Sequence, residues 1–397
     1  MPQVERIAVV VLDSVGVGDA PDAADFGDQG SDTLGNTSRA VGGLALPNLQ
    51  ALGLGNIHDI QGVPSAGQPR AVLGRMAERS AGKDTLTGHW ELMGQVRDRA
   101  FPTYPDGFPD EVIAQFEERT GRAVIGNRPA SGTVIIEELI DEHLDSGALI
   151  VYTSADSVFQ IAAHKEVVPL EELYRDCRIA RGILTGEHEV ARVIARPFVG
   201  EPGALRRTDE RKDLALPPPQ PTALDLLQSA GVEVIGVGKI EDIFSGRGLD
   251  ASHHIHDNAD GCEIIMDLLR DRAGGLVFAN LNDFDTRFGH RNDPEGYAGA
   301  LEEFDGYLPQ MLDALGERAL LVLTADHGTD PTTESTDHSR ERVPLLIAGE
   351  AVQEGQHLGT RETFADLGAT VCDLFGAEAP PGGESFAAEL LEAGPAA

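Results

Sequence analysis

Six short runs of the chain are apolar at nearly every position: Ile7 to Leu12, Leu149 to Tyr152, Val232 to Val237, Leu276 to Ala279, Leu320 to Leu323 and Val343 to Ala348. A strand with one face in water alternates apolar and polar residues. Unbroken Val, Ile and Leu instead predict strands covered on both faces, as in a parallel sheet between helices. Segments with helical spacing lie between many of these runs, among them Thr222 to Ala230, Asp260 to Arg272 and Pro294 to Leu315. Strand and helix alternate, which predicts the α/β class with a mostly parallel sheet covered by helices.

Two stiff, proline-rich stretches interrupt that alternation. Phe101-Pro102-Thr103-Tyr104-Pro105-Asp106-Gly107-Phe108-Pro109 and Pro217-Pro218-Pro219-Gln220-Pro221 can continue neither a helix nor a central strand. They predict a core domain in two parts, residues 1–98 and 218–397, with an α+β cap domain, residues 99–217, inserted between them. A chain of 397 residues is long enough for two such domains, each with its own core.

Composition narrows the function. Thirty-one Lys and Arg against 66 Asp and Glu leave a formal charge of −35, which argues against nucleic acid, since its affinity comes from cations that displace counterions. At 41% apolar and 24% charged residues the chain is of ordinary globular composition. Cys177, Cys262 and Cys372 are widely spaced with no CxxC pair, so neither a disulfide scaffold nor a thiolate zinc site is expected. The amino terminus has too short an apolar run for a signal peptide, and no run approaches membrane length. The expectation is a cytoplasmic protein with no membrane association and no obligate protein partner. Against the acidic background, Arg175 to Lys212 carries nine basic residues and six acidic ones. A positive island of this kind suits a small anionic ligand, with Arg favoured for forked contacts to phosphate.

Three of the apolar runs end alike. Ile7 to Leu12 leads into Asp13; Leu276 to Ala279 leads to Asp285 and then His290; Leu320 to Leu323 leads to Asp326 and His327, with His338 following. Ligands of open parallel sheets bind beyond the carboxyl ends of the strands, so these six side chains are expected on one rim. Three carboxylates gathered there repel one another unless cations join them. Six carboxylate and imidazole ligands exceed the need of one tetrahedral ion and suit two. Paired metals, in turn, suit phosphoryl transfer.

A nucleophile is expected nearby, in Lys83-Asp84-Thr85-Leu86-Thr87-Gly88-His89-Trp90-Glu91. Helical character begins near Leu86. Thr85 would then sit at a helix amino terminus, where free N–H groups welcome a phosphoryl group. On local sequence alone Thr85 reads first as a helix cap, ahead of the nucleophile reading, and Thr87 competes for either role.

These motifs, with Asp13-Ser14-Val15-Gly16-Val17-Gly18, Tyr152-Thr153-Ser154-Ala155-Asp156-Ser157, Asp283-Phe284-Asp285 through Gly289-His290-Arg291, and Ala325-Asp326-His327-Gly328 through Asp337-His338-Ser339-Arg340, resemble the bacterial phosphopentomutases of the alkaline phosphatase superfamily. The resemblance runs over nearly the whole chain. It implies an isomerase that interconverts ribose 1-phosphate and ribose 5-phosphate, and the 2-deoxyribose phosphates, through a phosphothreonine and a 1,5-bisphosphate. Thr85 would carry the phosphoryl group. Asp285, His290 and His338 would hold one divalent ion, usually manganese; Asp13, Asp326 and His327, with the Thr85 oxygen, would hold the other. A sugar bisphosphate, glucose 1,6-bisphosphate or ribose 1,5-bisphosphate, would activate the enzyme. Arg192, Ile194 and Arg207 of the cap, Lys239 of the core, and Ser154 and Asp156 would contact the pentose phosphate. The His253-His254-Ile255-His256 cluster is read as a polar loop in preference to a third metal site. Rival functions are a phosphatase or phosphodiesterase of the same superfamily, a phosphoglycerate mutase that needs no bisphosphoglycerate, and a non-catalytic, cation-binding acidic scaffold.

Overall fold

A computed structural model of the chain describes residues 4–154, 156–271 and 274–391. Two compact units emerge: Met1–Ala100 with Pro218–Ala397, and Phe101–Pro217. No helix among the described residues is long and apolar enough to cross a membrane.

The first unit is built on an eight-stranded sheet in the order Ala251–His253, Val234–Val237, Gly275–Leu281, Arg6–Leu12, Ala319–Thr324, Val343–Ala348, Val72–Met76 and His357–Arg361. Arg6–Leu12 lies at its centre, buried at all seven positions. Each buried Val or Leu contributes about 1.5–3 kcal/mol over an exposed one, so a run of this kind is driven to the middle of the sheet. It pairs in parallel with Gly275–Leu281 on one side and Ala319–Thr324 on the other, with Leu12 opposite Leu281 and Val11 opposite Thr324. Three strands thus finish at one level, side by side.

One expectation needs correcting. Val343–Ala348 is buried at all six positions yet runs antiparallel to both Ala319–Thr324 and Val72–Met76. An apolar run reports that both faces are covered, which holds here; it does not report strand direction. The helices predicted from spacing form as Ala223–Ser229, Asn258–Arg270 and Pro294–Leu315, and the expected end of the second at Arg272 lies outside the described residues. The first begins with a reciprocal cap between Thr222 and Asp225, which satisfies two N–H groups that the helix itself cannot.

The second unit has its own sheet, in the order Val124–Pro129, Leu149–Thr153, Val158–His164, Arg192–Val199 and Arg206–Arg207, with Lys212–Ala215 also paired to Arg192–Val199. One cluster packs Phe116, Phe159, Leu173 and Val193. Another packs Ile135, Ile136 and Ile140 of the helix Gly132–Ser146 against Ile150, Tyr152 and Phe198.

His143, fully buried in this unit, is fixed in its neutral form. Its Nδ1 lies 2.6 Å from the Ala148 carbonyl, which only accepts, and its Nε2 accepts the His164 N–H at 2.9 Å. Burial pushes its pKa below the ordinary histidine value. The unfolded chain therefore takes up the proton first, and the stability that His143 contributes is complete above the unfolded pKa of about 6.5 and drains as pH falls. Acidification from pH 7.5 to pH 5 should lower the thermal midpoint. His143→Gln, which keeps a donor and an acceptor but does not titrate, should flatten that slope; an unchanged slope would assign the loss to other groups.

Candidate metal centre

The three central strands deliver their following residues to one rim. Neighbouring strands stand about 4.8 Å apart, so Asp13, placed after the middle strand, is flanked by the loops that carry Asp285 and Asp326. Asp285 lies in a wide turn of π type, Phe284–Phe288, and His290 in the tighter turn Gly289–Arg291 that follows. One ligand atom each from Asp13, Asp326 and His327 lies within 4.8 Å of the others, as do atoms of Asp285, His327 and His338. His290 Nε2 stands 3.1 Å from Asp285 Oδ2, and the His327 and His338 rings are 4.0 Å apart. All six expected ligands therefore meet. His327 joins both groups, whereas the motif resemblance assigned it to one.

The electrostatics of this cluster call for cations. Burial pushes the Asp13 carboxyl up to about 6, the Asp326 and Asp285 carboxylates add to the rise, and Lys239 and His327 oppose it. Burial, with His327 beside it, pushes the His338 imidazole down to about 3. His327 itself resists burial and rises well above the ordinary range because Asp326, Asp13 and Asp285 surround it. Asp13 Oδ1 is buried with no hydrogen-bond partner, and Asp326 Oδ2, also buried, faces the ring nitrogens of His89 at 3.1 Å and His327 at 3.2 Å. A carboxylate oxygen in that state is costly unless a positive charge meets it. Oxygen and imidazole donors in this mixture fit divalent ions such as Mn²⁺, Zn²⁺ or Mg²⁺.

Thr85 opens the helix Thr85–Leu92, and the cap is Asp84. The Asp84 carboxylate accepts the Thr87 N–H at 3.2 Å and the Thr87 hydroxyl at 2.6 Å. This arrangement separates the two threonines. The Thr87 hydroxyl is buried and engaged, while Thr85 Oγ1 stands 3.2 Å from His327 Nε2, inside the ligand cluster.

Several residues around the cluster were not anticipated. His89, one helical turn beyond Thr85, places Nδ1 2.9 Å from the Thr85 carbonyl and 3.1 Å from Asp326 Oδ2. The Asn280 amide donates to Asp13 Oδ2 at 2.9 Å and lies against His89 Nε2 at 3.2 Å. Thr329 donates its hydroxyl to Asp285 at 3.1 Å. Such outer partners orient ligands and set their basicity. The one available signal was Asn280 itself, a polar residue inside an otherwise apolar strand. Ser14, next to Asp13, holds a left-handed φ of 76° and donates its N–H to Asp326 Oδ1. A non-glycine residue in that region stores about 1–3 kcal/mol and is typical of functional turns.

Of the expected substrate residues, Lys239 is at the cluster, with Nζ 4.0 Å from Asp13 Oδ2. The others lie in the second unit. Arg192 and Ile194 are on the strand Arg192–Val199, with Arg192 Nη1 3.9 Å from Asp213. Arg207 is on Arg206–Arg207, and the Ser154 hydroxyl accepts the Asp156 N–H at 3.3 Å. His253 closes an edge strand and His254 is 76% exposed; neither belongs to a ligand group found among the described residues. The three cysteines are buried as free thiols.

A family model described as the metalloenzyme superfamily matches residues 5–379. The chain is similar to the phosphopentomutase of Carboxydothermus hydrogenoformans, 56% identical over 386 residues that cover 97% of this chain and 99% of the relative. It is likewise 56% identical to that of Dictyoglomus thermophilum over 388 residues, 98% of this chain and 99% of the relative. Among solved structures, the phosphoglycerate mutase of Leishmania mexicana is similar with a TM-score of 0.48 at 13% identity, covering 97% of this chain and 98% of that one.

Proposed function

The chain belongs to the metalloenzyme superfamily and, within it, to the phosphopentomutases, and from that premise we propose that it interconverts ribose 1-phosphate and ribose 5-phosphate, and their 2-deoxy counterparts. The enzyme class, a mutase, follows from the family. The observation that carries the chemical scheme is the placement of the Thr85 hydroxyl at a helix amino terminus, 3.2 Å from a residue of the ligand cluster.

In this scheme Thr85 carries a phosphoryl group and donates it to the free hydroxyl of a pentose monophosphate. A 1,5-bisphosphate results, and Thr85 Oγ1 then takes back the phosphoryl group from the other end of the sugar. A sugar bisphosphate, glucose 1,6-bisphosphate or ribose 1,5-bisphosphate, would charge Thr85 at the outset. Asp285, His290 and His338 would hold one divalent ion, and Asp13, Asp326 and His327 with Thr85 Oγ1 the other. Two such ions, for which we propose manganese, supply charge neutralisation at the transferring oxygens. The free N–H groups of the Thr85 helix welcome the phosphoryl oxygens, and His89, through the Thr85 carbonyl and Asp326, keeps nucleophile and ligand in register. Lys239, Arg192, Ile194, Arg207, Ser154 and Asp156 are proposed to bind the sugar phosphate, with the arginines offering forked donors.

Phosphorus NMR tests the scheme directly. With manganese, ribose 5-phosphate and a catalytic amount of glucose 1,6-bisphosphate, a ribose 1-phosphate resonance should grow. Inorganic phosphate in its place would make the chain a phosphatase, and turnover of 3-phosphoglycerate would make it a phosphoglycerate mutase.

A further inference from the structure

In the second unit, three kinds of donor converge on one point. The helix Gly132–Ser146 runs for 15 residues and begins without a side-chain cap, so its first-turn N–H groups lack the usual partner. Tyr152 is 1% exposed, and its hydroxyl has no hydrogen-bond partner. That hydroxyl is aimed at the start of the helix: a Cβ added to Gly132 would collide with both Tyr152 Oη and Arg207 Nη2. Among the described residues Arg207 takes part in no ion pair. Its neighbours are engaged elsewhere, Arg196 with Gln160 at 3.2 Å and Arg211 with Asp213 at 2.6 Å.

A buried hydroxyl without a partner is destabilising. Burial raises the Tyr152 pKa further above its ordinary value of 10, against the opposing arginines, so the phenol keeps its proton near neutrality and acts as a donor. Backbone N–H, phenol O–H and guanidinium together lack an anion with several acceptor oxygens. Gly132 lets the Tyr152 hydroxyl and the Arg207 guanidinium close on the start of the helix, since any side chain there would displace both.

We propose that the amino terminus of the helix Gly132–Ser146, the Tyr152 hydroxyl and Arg207 form a binding site for the phosphoryl group of a phosphate monoester. The identity of that ester as a pentose phosphate rests on the function proposed above; the anion site itself does not.

The test uses the full chain stripped of metal with EDTA, so that no metal-held phosphate contributes and any binding at the Thr85 helix is common to wild type and variants. Its thermal midpoint is followed against inorganic phosphate, with chloride at equal ionic strength as the control. Phosphate should raise the wild-type midpoint. Tyr152→Phe should melt higher than wild type in chloride, because the orphaned hydroxyl is gone, and should lose most of the phosphate increment. Arg207→Gln should lose the increment as well. In the metal-loaded enzyme, Tyr152→Phe should raise the KM for ribose 5-phosphate about tenfold, the scale of one hydrogen bond to a charged group, with a smaller change in kcat. Equal phosphate increments in wild type and both variants overturn the site. If the increments are lost as expected but no ribose 1-phosphate is ever formed, the anion site stands and the substrate assignment falls.

Discussion

Thr85→Val should lower turnover by about three orders of magnitude or more, while two equivalents of divalent metal still bind. Valine keeps the shape of threonine and deletes only the hydroxyl. The helix does not depend on that hydroxyl, because Asp84 supplies the cap through Thr87. The ligand carboxylates and imidazoles stay where the sheet places them. Two measurements check this: intact-protein mass after incubation with glucose 1,6-bisphosphate, where the wild type should gain one phosphoryl group and the variant none, and isothermal titration with manganese. Retained turnover would move the nucleophile to Thr87 or to water. Thr87 is a poor alternative on structural grounds, since its hydroxyl is buried and donates to Asp84 at 2.6 Å.

The second large effect is expected at Arg340, far from solvent at 2% exposure. Its Nη1 donates to Glu78 Oε2 at 2.7 Å and to the Gly82 carbonyl at 2.6 Å. Its Nη2 donates to Asp22 Oδ2 at 2.9 Å and to the Glu78 carbonyl at 2.8 Å, and its guanidinium stacks over Phe26 at 4.7 Å. One side chain thus ties the segment after His338 to the Gly82 turn that leads into Thr85. Burial raises the Glu78 pKa, and the positive charge of Arg340 opposes that rise more strongly than any other neighbour. Arg340→Met leaves this carboxyl buried without its cation, which costs about 3–5 kcal/mol, and should lower the urea midpoint of the core markedly. Arg340→Lys restores charge but not the planar fork that reaches Glu78, Gly82 and Asp22 together. Stability should therefore recover in the lysine variant more than kcat does. Full recovery of both would show that charge alone matters and that the clamp does not position Thr85.

Much of this was legible in the chain, for local reasons. Whether a residue is buried is written in its own side chain and those of its immediate neighbours, so the runs Ile7 to Leu12, Leu276 to Ala279 and Leu320 to Leu323 announced central strands, and the acidic and histidine residues that follow them marked candidate ligands, which the fold brings together. The motif likeness over nearly the whole chain then supplied the family, which spacing by itself could not. Val343–Ala348 shows where this reading stops. Its composition records two covered faces, but its direction depends on which strands it joins. His89 and Asn280 were missed for a related reason: each is an ordinary polar residue until Asp326 and Asp13, drawn from elsewhere in the chain, are set against it.

The threonines mark the same division most sharply. Local sequence favoured Thr85 as the cap, with Thr87 competing for either role; the cap is in fact Asp84, whose carboxylate, one residue earlier, reaches the Thr87 N–H. The fold separated them by bringing His327 up to Thr85 and turning Thr87 inward onto Asp84. The sequence by itself determined the class of fold, the kind of ligand atoms and the helix on which a nucleophile could sit. Only the tertiary structure decided which strands lie side by side, which imidazole is shared and which hydroxyl is available. The Thr87–Asp84 contact is local, but the strand pairing and the approach of His327 to Thr85 join residues hundreds of positions apart, whose pairing no local pattern encodes.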